Sequence, residues 1–197
     1  VATPILDKRP IPVSKEDREK AIDDNKKAID ETHAVGASSL VLVCGSSKHQ
    51  SLDTSREQIQ DGIAECLEHA KDAEVILAIE PLHPMYAAER SAINSMAQAN
   101  TICENLDNHP NVGVALDVYH TWWDEKLSEE ISRSFNNGNL TSYHICDWLS
   151  PMEDMLNDRG LMGEGSVDIN QISEWVTESG FTGFHEVEIF SERWWKI

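Results

Sequence analysis

Apolar residues fall in short runs along this chain, and each run is followed by a segment of helical spacing. Ser39-Leu-Val-Leu-Val-Cys44, Val75-Ile-Leu-Ala-Ile-Glu80, Val112-Gly-Val-Ala-Leu-Asp117, Thr141-Ser-Tyr-His144 and His185-Glu-Val-Glu188 read as five strands. Continuous rather than alternating apolarity, clearest in the first, suits strands covered on both faces. Ser14 reads as an N-cap, with Glu16 and Asp17 at the positive end of a helix that runs to about His33. Gly36 supplies the left-handed turn that ends it. A second helix spans about Thr54 to Lys71, with Ile59, Ile63, Cys66, Leu67 and Ala70 as its apolar stripe. Pro81-Leu-His-Pro84 breaks the chain after the second strand. Further helices are expected at about Ser91–Leu106, Leu127–Phe135 and Ile169–Glu178, the last capped by Asp168 and stopped by Gly180. Pro4, Pro10 and Pro12 mark an irregular start, Asn137-Gly138 marks a turn, and Trp148–Gly165 reads as a long polar loop.

Strand and helix alternate with no hairpin signal, which argues for βα units and a parallel sheet. A (β/α)8 TIM barrel needs eight strands and about 250 residues. The expected fold is therefore α/β, a TIM barrel that is incomplete, with the N-terminal one or two βα units missing. Residues 1–197 would form a single domain, the C-terminal three quarters or so of a barrel; a chain opening at Val1 rather than Met fits such a fragment. A further short strand is expected inside the long loop. A barrel remnant exposes sheet edges, so this fragment alone is expected to be poorly stable or to pair with another chain, a homo-oligomer included. The competing architecture is an open doubly wound sheet; no glycine-rich phosphate turn follows any strand, which weighs against it.

Charge narrows the partners. Asp and Glu number 35 against 16 Lys and Arg, a net charge of −19. Such a surface repels phosphate backbones, so no nucleic-acid partner is expected. No apolar run is long enough for a membrane span, so no membrane partner is expected. Cys44, Cys66, Cys103 and Cys146 form no CxxC pair and read as reduced thiols of a cytoplasmic protein.

The candidate chemistry sits at the ends of the apolar runs. Glu80, Asp117, His144 and Glu188 each lie at or near the C-terminal end of one. If the runs are parallel strands of one sheet, these ends converge on one face, where a barrel enzyme builds its site. Three carboxylates and one imidazole are an oxygen-rich set suited to Mn²⁺ above all, with Mg²⁺, Co²⁺ or Zn²⁺ as alternatives. Glu186 and Glu188 share a strand face; Glu188 is nearer the strand end and is taken as the ligand, with Glu186 left as the alternative. Asp117-Val-Tyr-His120 has the form DxxH, and His144-Ile-Cys-Asp147 the form HxxD, in which Asp147 orients a ring or binds substrate.

Ile79-Glu-Pro-Leu82, Leu116-Asp-Val-Tyr-His120, Tyr143-His-Ile-Cys-Asp147, Asp158-Arg159 with Gly163-x-Gly165, and Val187-Glu-Ile-Phe190 occur in the order seen in xylose isomerase-like TIM barrels. Between about Ser39 and Phe190 the chain resembles that superfamily, which holds sugar isomerases and epimerases, inosose dehydratases and endonuclease IV. In its ketose 3-epimerase branch, metal ligands stand at the positions of Glu80, Asp117, His144 and Glu188, and the two glutamates exchange the substrate proton. The resemblance implies a substrate contact for Arg159 and a place facing substrate or metal for His120. The chain departs from that branch near Tyr86, where a further glutamate would stand. It departs from the endonuclease by lacking a histidine at Asp158-Arg159-Gly160 and after Val43-Cys44-Gly45-Ser46.

The resemblance thus implies a divalent-metal-dependent isomerase or epimerase of a small sugar or keto-sugar. Glu80 and Glu188 are the expected catalytic groups, removing and returning the proton alpha to a metal-bound carbonyl by way of an enediolate. Arg159 would hold the charge that develops, and His120, His83 and Asp147 would hydrogen bond to hydroxyls. Trp122, Trp123 and Trp148 either pack on the sugar's apolar face or serve as rim packing. A metal-dependent lyase or dehydratase of a keto-sugar or inosose is the alternative; a non-catalytic barrel subunit and an endonuclease rank lower.

Overall fold

The computed structural model describes Pro12 and residues 14–196; Pro4 and Pro10 of the expected irregular start lie outside them. Five strands form one all-parallel sheet: β1 (Ser39–Leu42), β2 (Ile76–Ile79), β3 (Val112–Asp117), β4 (Leu140–Ile145) and β7 (His185–Val187). Their spatial order, β1-β2-β3-β4-β7, is also their order along the chain. A doubly wound sheet would reverse order at a switch point. This one never does, and it is a partial TIM barrel.

Helices make the crossovers. α1 (Lys15–Ala34) precedes β1, α2 (Leu52–Asp72) joins β1 to β2, and α3 (Met96–Asn105) joins β2 to β3. α4 (Val118–Thr121) and α5 (Leu127–Asn136) lie between β3 and β4, α6 (Ile169–Ser179) leads into β7, and α7 (Glu192–Trp195) follows it. The capping chemistry is local and legible. Ser14, Ser51, Ser95 and Asp168 each accept a backbone N–H three residues on, and Gly180 closes α6 at φ 103°. One boundary differs from expectation: α3 begins at Met96, not at Ser91. Residues 91–94 are stitched into the neighbouring loops instead. Ala92 N–H donates to Gly45 O (2.7 Å), and Asn94 Nδ2 donates to Leu82 O (3.1 Å), so this stretch cannot wind into the helix.

The main core lies between the sheet and its helices. The α2 stripe Ile59, Ile63, Cys66, Leu67 and Ala70 is buried against Leu77, Ile79, Val114 and Leu116 of the strands. Leu77 and Ile79 alternate with Ala78, which is also fully buried, so both sheet faces are covered there. β3 and β4 meet tightly at a register shift after Val114, and Gly113 allows the approach: a Cβ there would lie 2.3 Å from Thr141 Cγ2 and 2.7 Å from Asn139 O. β7 is different, since His185, Glu186 and Val187 are all exposed.

The long loop carries two short strands, β5 (Asp147–Trp148) and β6 (Arg159–Gly160). They pair antiparallel with each other and do not extend the parallel sheet, so the extra strand expected in this loop is a separate ribbon. Asp147 organises it. Its Oδ1 accepts the N–H of Trp148 (2.9 Å) and Val167 (3.0 Å), and its Oδ2 accepts those of Gly163 and Gly165 (both 2.9 Å). These four bonds use the four acceptor positions of a carboxylate. Asp147 is fully buried, and these bonds fold the loop that presents Arg159.

Asp147→Ala would leave four backbone N–H groups without their acceptor, that of Val167 buried. The expected cost is on the order of 3 kcal/mol or more, from charge-assisted bonds lost together. Urea unfolding of the variant against the parent protein measures it; a loss under about 1 kcal/mol would mean that the loop does not depend on this carboxylate.

Candidate metal centre

Parallel strands bring their C-terminal ends to one edge of the sheet, and that edge carries the charged residues. Glu80 follows β2 directly, Asp117 ends β3, His144 lies one residue before the end of β4, and Glu188 follows β7. Asp117 and His144 are register partners across β3 and β4. Ligand atoms of all four residues lie within 4.8 Å of one another. Glu186 pairs in register with His144 but is exposed, and it is Glu188 that joins the cluster.

Each carboxylate is held by specific partners. Glu80 Oε1 and Glu188 Oε2 sit 3.3 and 3.4 Å from His144 Nδ1. Asp117 Oδ1 accepts the N–H of Tyr119 (2.8 Å), capping α4, which turns Oδ2 toward the centre. Arg159 Nη1 bridges Asp117 Oδ2 (2.9 Å) and Glu188 Oε2 (3.2 Å). The guanidinium lies between two rings, 4.4 Å from the centroid of Tyr119 and 4.9 Å from that of Phe190.

Burial and these partners pull the titrations apart. Burial, reinforced by the charges of Asp117 and Glu188, pushes the Glu80 carboxyl up to about 7. Burial also acts to raise Glu188, but the hydrogen bond to His144 and the charge of Arg159 outweigh it and bring that carboxyl down to about 2. Burial works against charge on His144, yet its bonds to Glu188 and Glu80 win and raise it to about 10. His120 has no carboxylate that close, and burial pushes it down to about 3.

His120 is 4% exposed and faces the same centre, with Nε2 3.8 Å from Asp117 Oδ2 and 3.3 Å from Arg159 Nη2. Its Nδ1 accepts the backbone N–H of His83 (3.2 Å). The Nδ1 of His83 accepts the N–H of Met85, and the ring packs 4.9 Å from Trp148 and 5.9 Å from Trp123. Trp148 packs in turn on Tyr119 and Trp122.

The cleft itself is lined by Glu80, His120, Arg159 and Glu188 on its polar side and by Val43, Leu82, Tyr86, Leu156 and Phe190 on its apolar side, with Arg90 also in the wall. Leu156 comes from the long loop, which is tied down where Tyr86 and Tyr119 both donate their hydroxyls to Met155 O. Phe190 was within reach of sequence reasoning, since it stands two residues beyond Glu188 and period-two alternation places it on the same side. Nothing in the spacing of Leu156 or Arg90 gives them away.

Comparison with known proteins agrees with this geometry. Over 194 residues the chain is 26% identical to L-ribulose-5-phosphate 3-epimerase UlaE of Escherichia coli (strain ATCC 8739), covering 93% of this chain and 62% of that protein. The chain therefore spans less than two thirds of the length of this curated relative. Protein SMc04130 from Sinorhizobium meliloti 1021 superposes with a TM-score of 0.89 at 48% identity, over 96% of this chain and 69% of that one. The IOLI protein with a bound zinc atom shares the fold at a TM-score of 0.77 and 22% identity, over 94% of this chain and 66% of that one. The model of one family, described as xylose isomerase-like TIM barrel, matches residues 4–196. This chain belongs to the xylose isomerase-like TIM barrel family.

Proposed function

We propose that the protein is a divalent-metal-dependent isomerase or epimerase of a small sugar or keto-sugar. The convergence of Glu80, Asp117, His144 and Glu188 from four separate strand ends carries this reading. Three carboxylates and one imidazole, packed this closely at a largely buried site, fit a hard or borderline divalent cation such as Mn²⁺. Without a cation, that much buried negative charge is costly. The zinc of the IOLI protein, which has the same fold, supports a divalent ion in such a frame. The epimerase activity of UlaE supports the reaction class.

When bound, the ion supplies Lewis acidity to a substrate carbonyl and an adjacent hydroxyl. The chain's own residues do the rest. Glu80 and Glu188 border the cleft, so that one takes the proton alpha to the carbonyl and the other returns it. Their proton affinities are set far apart, which is how a pair of carboxylates divides the roles of base and acid. Arg159 and His120 face the same space and hold oxygen atoms on which charge develops. Leu156, Phe190 and Tyr86 keep water from the reacting carbon.

Glu80→Gln and Glu188→Gln should each lower turnover by about 10²–10⁴-fold, measured on a panel of pentuloses and hexuloses, free and phosphorylated, with Mn²⁺ present. Proton NMR in D₂O should show exchange of one carbon-bound proton with the parent protein and its loss in both variants. Turnover without such exchange would sink the proton-transfer reading; loss of water from the substrate would point to a lyase.

Stability should depend on pH in a defined way when EDTA is present. His144 is raised from 6.5 to about 10, so its stabilisation is complete below pH 6.5 and disappears as pH rises through 10. Glu188 is lowered from 4.5 to about 2, so its contribution is present above pH 4.5 and lost as pH falls through 2. Glu80 is raised from 4.5 to about 7, and its contribution fades between those values as pH rises. The urea midpoint should therefore peak near pH 4.5 and fall as pH rises from there. The gap between the parent and His144→Asn should narrow steadily above pH 6.5. A gap that stays constant to pH 10 would refute the assignment.

A further inference from the structure

We propose that Arg159 is a built-in competitor for the divalent cation, and that binding of the ion turns its guanidinium away from Asp117 and Glu188 into the cleft. The inference rests on the reading of the site as a metal centre and adds a switch to it.

Three observations carry it. First, Nη1 of Arg159 sits on Asp117 Oδ2 and Glu188 Oε2, at 2.9 and 3.2 Å, so two of the four clustered residues already share one fixed positive charge. A divalent ion drawing on the same carboxylates would lie within a few ångströms of the guanidinium, and like charges at that range repel.

Second, the rest of the guanidinium is poorly satisfied where it stands. Nε is buried with no hydrogen-bond partner. Nη2 faces His120 Nε2 at 3.3 Å. That ring accepts the His83 N–H at Nδ1, so a neutral His120 carries its hydrogen on Nε2. Nη2 and Nε2 thus meet donor to donor. A buried arginine with one well-used nitrogen and two ill-used ones has bonds to gain by moving.

Third, its surroundings permit a short movement without exposure. The guanidinium carbon lies 4.4 Å from the Tyr119 ring centroid and 4.9 Å from that of Phe190, and Arg159 and Phe190 both line the cleft. Sliding between two ring faces keeps the cation–π contact while the nitrogens trade carboxylate oxygens for a substrate oxygen. Binding of the ion and of an oxygen-bearing ligand are then linked, since each favours the displaced arginine.

Isothermal titration with Mn²⁺ alone, on the full chain, tests the idea. Arg159→Gln removes the competing charge and should bind Mn²⁺ about tenfold more tightly than the parent; Arg159→Lys, which keeps the charge but not the two-oxygen grip, should fall between. Melting in EDTA should show Arg159→Gln less stable than the parent, with a larger upward shift on adding Mn²⁺. Equal or weaker Mn²⁺ binding by both variants overturns the proposal and makes Arg159 a support for the ligand set. If Arg159→Gln does not fold, the lysine variant decides alone by the same criterion. Absence of Mn²⁺ binding by all the proteins, the parent included, removes the metal-centre reading and this inference with it.

Discussion

Buried negative charge is the constraint around which this structure is arranged. Glu80 and Asp117 are 4% and 0% exposed, and Glu188 stands against them. Carboxylates in a medium of low dielectric constant are stable only if paired, protonated or bound to a cation. The chain uses the first two. His144 stands between Glu80 and Glu188, Arg159 between Asp117 and Glu188, and Glu80 keeps its proton to about pH 7. A site so dependent on positive charge is well disposed to exchange part of it for a metal ion.

The parallel sheet is what makes this crowding affordable in geometric terms. Strands that neighbour one another in chain order all end on the same side, so residues far apart in sequence arrive together without any long-range coincidence. The register does the fine placement: Asp117 opposite His144, and His144 opposite Glu186 with Glu188 just beyond. Gly113 lets β3 and β4 close up at the register shift, three residues upstream of the Leu116–Tyr143 pair.

Much of this was legible in the chain, and the reason differs from element to element. Ser14, Asp168 and Gly180 act through their immediate neighbours, so local chemistry located α1 and α6 within a residue or so. The four clustered residues were legible because each ends an apolar run, and a charged side chain there needs a reason. The contacts of Asp147 and His83 were not legible for the converse reason: a motif gives residue type and spacing but not the direction of a side chain. Four amides of a loop up to 20 residues away claimed Asp147, and stacking on Trp148 and Trp123 claimed His83. Leu156 could not be found at all, because its place depends on two tyrosine hydroxyls meeting one carbonyl.

The site also steadies the part of the sheet that packing leaves weakest. β7 is exposed along its whole length. Its His185 ring packs 4.9 Å from that of Tyr143, and polar bonds add to this and to its pairing with β4: Glu188 N–H donates to Ile145 O, Arg159 N–H donates to Phe190 O, and the Glu188 carboxylate meets His144 and Arg159. The fourth member of the cluster is thus carried by a segment whose position depends on the cluster. Charge compensation at the centre and order in the last strand are one equilibrium, and whatever strengthens the grip on Glu188 strengthens the edge that presents it.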